Sequence, residues 1–560
     1  MPLGDFLVAY LQQIGVTHLF GIPGDLVLRL FFRLAMRRGM RIVTLSHEPG
    51  VGFAADGYAR ATGRIGVACV TYGAGGHNMV NPVAGSFAER VPVLVVSGGP
   101  GAEERRLGTL IHHQAKEIES QLRIFREVTC AAELLDDPRT AAERVDAVVR
   151  TVWREQRPGY LEIHRDMVDQ RVPVPAALVD WDGTLQFARS DDANVAEAVR
   201  DAAERLNAAR RPVVSVGIEA YRYKLERDVR RLAEKIGAPV VTTTLSKGAF
   251  PMDHPLHLGV HMGAISPPPI ARRLARADLV LNLGGMRTDM DQGVGDPLPL
   301  ERSVTAVEGR VDASYHSYRD VHIRDFVRGL LRVRLRRHRE RVRYVNNLPR
   351  ERRPVDASLR VVDLLRELNA FLAGRRGYTV VAESGDMLFA GLDVKVEGGG
   401  GYLAQGFYAS MGFGVPGALG AQLGTGTRPI VLCGDGAFQM TGPEISHAPR
   451  HGLDPIVIVV NNGGWQIFRP VVERPELLAI PPWPYADLAR AWGGAGFRAR
   501  RVGEFRLALA AAARERRFVV IEAMVAPDDL SPVSRKYIQA SAKQGRRLGR
   551  SRPAARRRRA

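Results

Sequence analysis

Two apolar runs frame the reading of this chain: PIVLC at 429–433 and PIVIVV at 455–460. Both are too short for buried helices. Each stops at small, oxygen-bearing residues, Gly434-Asp435-Gly436 after the first and Asn461-Asn462-Gly463-Gly464 after the second. Short continuous apolar runs bounded by turn residues predict buried strands of a parallel sheet. Similar runs recur along the chain. IVTL, GVACVTYG and VPVLVVSG come first, then RPVVSVGIEA, APVVTTT and ADLVLNLGG, and finally YTVVAES, RPIVLCGDG, DPIVIVVNN and RFVVIEAM. Ala-rich amphipathic segments lie between them and predict helices. This alternation predicts an α/β protein of three doubly wound parallel-sheet domains, at 1–175, 185–330 and 355–530. A Pro/Ala/Asp-rich join lies near 173–190, and no short repeat is visible.

The length of 560 residues agrees with several domains rather than one core. No apolar stretch reaches the roughly 20 residues of a membrane span. The start, MPLGDFLVAYLQQIG, has no basic leader and reads as an amphipathic helix rather than a signal peptide. Cys69, Cys130 and Cys433 are far apart in sequence, which predicts reduced thiols and a cytoplasmic protein. The net charge of +19 is concentrated in two places. Residues 328–353 carry eleven Arg against two Glu, and residues 543–560 carry nine Lys or Arg and no acid. The remainder is close to neutral. The first stretch predicts a basic linker, at 331–354, and the second a disordered basic tail, at 543–560. A nucleic-acid partner is not expected.

Asp435 and Asn462 are 27 positions apart, each at the end of an apolar run, with room for one helix between them. If the two strands share a sheet, a carboxylate and an amide meet at its carboxyl edge, where ligands of such sheets bind. Backbone carbonyls near Gly463 and Gly464 add further oxygen donors. An oxygen-only set suits Mg²⁺ or Ca²⁺. Gly436 allows close backbone approach, and the following helix N-terminus favours an anion. Together these residues read as a metal-bridged diphosphate site. In the first block, Glu48 follows IVTL and opens a helix of small residues, HEPGVGFAADGYAR.

These stretches resemble the thiamine-diphosphate enzymes. By that resemblance, Asp435, Asn462 and the carbonyl of Gly464 hold Mg²⁺ and, through it, the diphosphate. Gly434, Gly436, Ala437, Trp465 and Ile467 line the cofactor. Glu48 is implied to hydrogen-bond the aminopyrimidine. In GFYASMGFGVPGALGAQ, Ala409 offers a carbonyl to the cofactor's amino group and Met411 supports its bent shape. GIPGD with Asp25 and LIHHQ with His112 and His113 resemble the 2-oxo acid decarboxylase branch, nearest its bacterial phenylpyruvate and indolepyruvate decarboxylases. Releasing an aldehyde requires groups that move protons near neutrality, and paired histidines with a carboxylate can do this.

One departure is informative. The pyruvate-specific members carry a second glutamate six residues after the metal asparagine, and here that position is Phe468. An aspartate of the middle domain is implied to compensate, and Asp289, in GGMRTDMDQ, matches its position, with Asp291 close by. Phe468, Trp465 and Thr71 then form a more apolar pocket, suited to an aryl or long-chain 2-oxo acid. The middle block lacks a G-x-G-x-x-G, so neither NAD nor FAD is expected. The resemblance implies a homodimer as the minimum unit and a homotetramer as the assembly, with no membrane partner. Two alternatives stand beside decarboxylation. One is carboligation of the acetolactate-synthase kind, and the other is a non-catalytic binding protein that uses its Arg-rich tail.

Overall fold

A computed structural model describes residues 1–292, 299–397 and 401–550. It contains three sheets, one per expected block. The first has six parallel strands in the order Arg41–Thr44, His18–Gly21, Gly66–Val70, Val93–Gly99, Gly159–His164 and Ala131–Leu135. The third is also six-stranded and parallel, ordered Tyr402–Ala404, Tyr378–Ala382, Arg428–Gly434, Ile456–Asn461, Val519–Met524 and Ala495–Ala499. In both, the chain order reverses after the first strand. A crevice therefore opens between His18–Gly21 and Gly66–Val70, and another between Tyr378–Ala382 and Arg428–Gly434.

The middle sheet has seven strands. Five are parallel, and the edge is an antiparallel hairpin of Arg310–Ala313 and His316–Arg319. That edge departs from the expected wholly parallel sheet. A two-residue connection leaves no length for the crossover that parallel strands need. The N-terminal segment is helical over Leu3–Gln13. Cys69, Cys130 and Cys433 are free thiols, two of them buried within strands. Among the described residues no helix is long and apolar enough to cross a membrane.

The first and third sheets are joined by two helices of small residues, Glu48–Thr62 and Gly414–Thr425. Their backbones nearly touch: a Cβ on Gly57 would lie 2.1 Å from the Gly417 carbonyl oxygen, and one on Gly420 would lie 1.9 Å from that of Ala54. Phe53 and Phe413 meet edge to face at 6.1 Å in the shared core. Beyond the helix Ile323–Arg332, the Arg-rich segment is extended and fixed along the middle sheet by Val342 N–H to Pro255 and Val345 N–H to Leu258, both 2.9 Å. The helix Pro532–Arg550 continues into the stretch expected to be a disordered tail. Its start is held by burial of Val533 and by Lys536 donating to Asn347, so the helix has a docked end from which to propagate. The rest of that tail, 551–560, lies outside the described residues.

Candidate active site

At the crevice of the first sheet, Asp25 follows one flanking strand and Thr71 follows the other. Thr71 Oγ1 donates to Asp25 Oδ1 at 3.3 Å. The loop after helix Ala102–Leu107 brings in both histidines. His112 Nε2 bonds Asp25 Oδ2, and His113 Nε2 lies 3.7 Å from Oδ1. The two imidazoles are 4.8 Å apart, and His113 has a left-handed φ of 70°. Partial burial pushes the Asp25 carboxyl up, but His112, the Leu26 N–H and the nearby His113 outweigh it and hold it below its ordinary range. The cluster stays open on this chain, with Asp25 47% and His112 58% exposed.

Glu48 stands beside this cluster. Asn78 Nδ2 donates to its Oε2 at 3.2 Å, and its Oε1 shares the space over Gly75 with the Thr71 methyl. The helix it opens is anchored by the third domain. Glu444 accepts the N–H groups of Ser46 at 2.9 Å and His47 at 3.0 Å.

At the crevice of the third sheet the chemistry is buried. Asp435 is 1% exposed. Its Oδ2 accepts backbone N–H groups from Asn462, Gly463 and Gly464 at 3.2, 2.7 and 3.0 Å, and its Oδ1 accepts that of Gly436 at 2.8 Å. Burial raises the carboxyl to about 6 despite those four donors. Asn462 Oδ1 is buried without a hydrogen-bond partner among the described residues. The Gly464 carbonyl accepts Gln466 N–H at 2.8 Å and keeps a second lone pair. Gly464 has φ 144°, and a Cβ there would strike the Leu478 carbonyl at 1.9 Å. A Cβ on Gly436 would meet Trp465 Nε1 at 2.5 Å. Gly434 caps the helix Asp435–Thr441, and Ala437 is buried in its first turn. Such a set, with one orphaned oxygen, fits a hard cation.

Ala409 and Met411 lie on the loop facing this crevice. Ala409 has φ 54°, and its carbonyl accepts Ser384 Oγ at 2.5 Å. Met411 packs on the core shared by the first and third sheets. Sequence reading missed the residue that fixes this loop, Glu383. Its carboxylate accepts N–H groups from Ser384, Gly412 and Gly414 at 2.7, 3.2 and 2.6 Å. Burial raises it to about 7. Its signal was an acid directly after the apolar run YTVVA, as Asp435 follows PIVLC after one glycine.

The two middle-domain aspartates differ. Asp291 is buried, accepts Leu245 N–H at 3.2 Å and is pushed up to about 7 by burial. Asp289 is exposed. Met290 and Ile467 pack on the same apolar cluster, which sets the Asp289 turn beside the segment bearing Trp465 and Phe468. Phe468 is 55% exposed. Among the described residues no hydrogen bond or ion pair joins the Asp25–His112–His113–Glu48 group to the Asp435–Asn462 group on one chain.

Family comparisons cover most of the chain. Residues 1–124 match the N-terminal TPP binding domain of thiamine pyrophosphate enzymes, residues 199–316 the central domain, and residues 383–523 the C-terminal TPP binding domain. An indole-3-pyruvate decarboxylase of Azospirillum brasilense is 37% identical over 552 residues, covering 96% of this chain and 98% of that protein. Pyruvate decarboxylase 1 of Oryza sativa subsp. indica is 31% identical, covering 87% of this chain and 82% of its own length, and that of Zea mays is 31% identical over 87% and 81%.

Proposed function

The chain belongs to the thiamine pyrophosphate enzyme family and is a thiamine-diphosphate-dependent 2-oxo acid decarboxylase, and we propose that it acts on aromatic 2-oxo acids, with a site completed between two chains. Thiamine diphosphate supplies the nucleophilic carbon and electron sink that loss of CO₂ from a 2-oxo acid requires. The observation that carries the site assignment is the orphaned Asn462 Oδ1 beside a buried, backbone-locked Asp435. With the Gly464 carbonyl they would hold Mg²⁺ against the diphosphate.

Glu48 would hold a proton at the pyrimidine nitrogen, and the Ala409 carbonyl and Met411 would help orient that ring. Gly434, Gly436, Ala437, Trp465 and Ile467 would line the cofactor. Asp25 keeps its negative charge and orients His112, and on this reading the paired imidazoles would relay the proton that aldehyde release requires. Asp289, exposed beside the Trp465–Phe468 segment, is the middle-domain carboxylate able to reach this space. Phe468, Trp465 and Thr71 offer a mainly apolar wall, which favours an aryl side chain over the methyl of pyruvate. The relative's printed name, indole-3-pyruvate decarboxylase, agrees with that preference. A homodimer is the smallest complete unit on this reading, with a homotetramer as its assembly and the cytoplasm as its setting.

The test is aldehyde formation from phenylpyruvate, indolepyruvate, a branched-chain 2-oxo acid, benzoylformate and pyruvate. Thiamine diphosphate and Mg²⁺ are supplied, with Glu48→Gln as control. Aryl substrates should turn over fastest and lose turnover in the variant. Hydroxyketone as the main product would instead favour carboligation, for which the absence of an acid at Phe468 is the structural opening.

A further inference from the structure

The Arg-rich segment is not the loose, solvated linker that its composition suggests. Besides its bonds to the middle sheet, His338 N–H donates to the Ile236 carbonyl at 2.7 Å, and Asn347 N–H donates to Asp393 Oδ1 at 2.8 Å. Arg366 of helix Val361–Leu372 reaches across to the Pro349 carbonyl. This fixed strand of chain forms one wall of a cleft of about 1360 Å³, whose other walls come from helices Val361–Leu372 and Val502–Ala512.

The cleft's charge is one-sided. Its two carboxylates are already engaged: Asp363 by Arg353, Arg360 and Arg366, and Glu367 by both arms of Arg506. Six lining cations remain outside any ion pair among the described residues: Arg343, Arg350, Arg352, Arg375, Lys395 and Arg514. They come from segments far apart in sequence, so only the fold brings them together. Like charges held around one concave space repel each other, and a multivalent anion removes that repulsion.

We propose that this cleft is a binding site for a linear phosphate chain, of the inorganic polyphosphate kind. Three observations select that occupant. The cations are almost all arginine, whose planar fork grips phosphate oxygens in pairs. The volume exceeds the roughly 300–1,000 Å³ of an ordinary small-molecule site, so a single nucleotide would leave much of it unfilled. Phe371, the aromatic ring that lines the cleft, is buried, with 9% exposed, and lies under Arg375 at 4.6 Å, so it offers a base little surface to stack on. A phosphoanhydride chain, with a charge on every phosphorus and no sugar between, matches dense cations without stacking. The concave shape suits a flexible chain better than a flat lipid surface.

The experiment uses the full chain loaded with cofactor. Binding of long-chain inorganic polyphosphate is measured by titration calorimetry between about 50 and 200 mM salt. Arg350→Glu/Arg352→Glu/Arg514→Glu changes only exposed residues, and its melting temperature and decarboxylase rate should match the parent chain. It should bind polyphosphate at least about tenfold more weakly, with a salt dependence shallower by about one unit per cation removed. A second variant, Arg556→Gln/Arg557→Gln/Arg558→Gln/Arg559→Gln, should bind nearly as the parent does. Unchanged binding in the cleft variant, or binding lost only in the tail variant, would overturn the proposal. Tighter binding of single-stranded oligo-deoxythymidine, ATP or anionic phosphatidylglycerol vesicles through the same arginines would overturn the choice of occupant.

Discussion

The crevices of the first and third sheets are built alike and equipped oppositely. Each lies where the strand order reverses, and each collects carboxylates from the ends of the flanking strands. In the first, Asp25 faces solvent and bonds side chains, Thr71 and His112. In the third, Asp435 and Glu383 are buried and bond almost entirely to backbone N–H groups. Topology thus fixes where a site can be, and the bonding partners decide its use. Carboxylates tied to backbone form a rigid anchor, whereas a carboxylate tied to histidines stays charged and orients the imidazoles beside it.

If that contrast is right, damage to the anchor should abolish binding, and damage to the open cluster should spare binding but stop turnover. The largest effect is expected for Asp435→Asn, with cofactor affinity reduced by about 100-fold or more in a fluorescence titration. Glu48→Gln should bind cofactor but lower kcat by about 10²- to 10⁴-fold in an aldehyde assay. Asp25→Asn should leave cofactor binding unchanged and lower kcat by about 10²-fold, since the imidazoles lose their orienting charge.

Glu383 gives a smaller effect, one of pH. Its folded value of about 7 lies above its ordinary 4.5, so the folded state binds the proton more tightly. Stability from this group is full below pH 4.5 and is lost as pH rises to about 7. Glu383→Gln removes that dependence. The stability difference between variant and parent should therefore shift in the variant's favour by about 3 kcal/mol across that window, read by urea denaturation. Away from both crevices, Gly57→Ala should cost about 1–3 kcal/mol, because its methyl would press on the Gly417 carbonyl.

Much of this arrangement was legible as apolar runs ending in acids. That pattern located the strands and singled out Asp435, while Glu48 was picked out by the resemblance to the thiamine-diphosphate enzymes. Glu383 carries the same pattern, but its sequence, AES, lacks the flanking glycines that made Asp435 conspicuous. The choice between Asp289 and Asp291 was not legible, because burial separates them and their spacing does not. The edge hairpin was hidden because a four-residue strand has too few positions to show alternation. The arginine cleft was seen as charge but not as a place, since its walls come from three separate segments.

The most direct test of a site shared between chains is to mix two inactive variants. Glu48→Gln and Asp435→Asn chains are dissociated together, reassociated with thiamine diphosphate and Mg²⁺, and assayed for aldehyde. If each site takes Glu48 from one chain and Asp435 from another, a mixed dimer contains one intact site, and roughly a quarter of the parent activity should return. If activity stays at the level of the separate variants while mixed dimers form, each chain builds its own site and the account is contradicted.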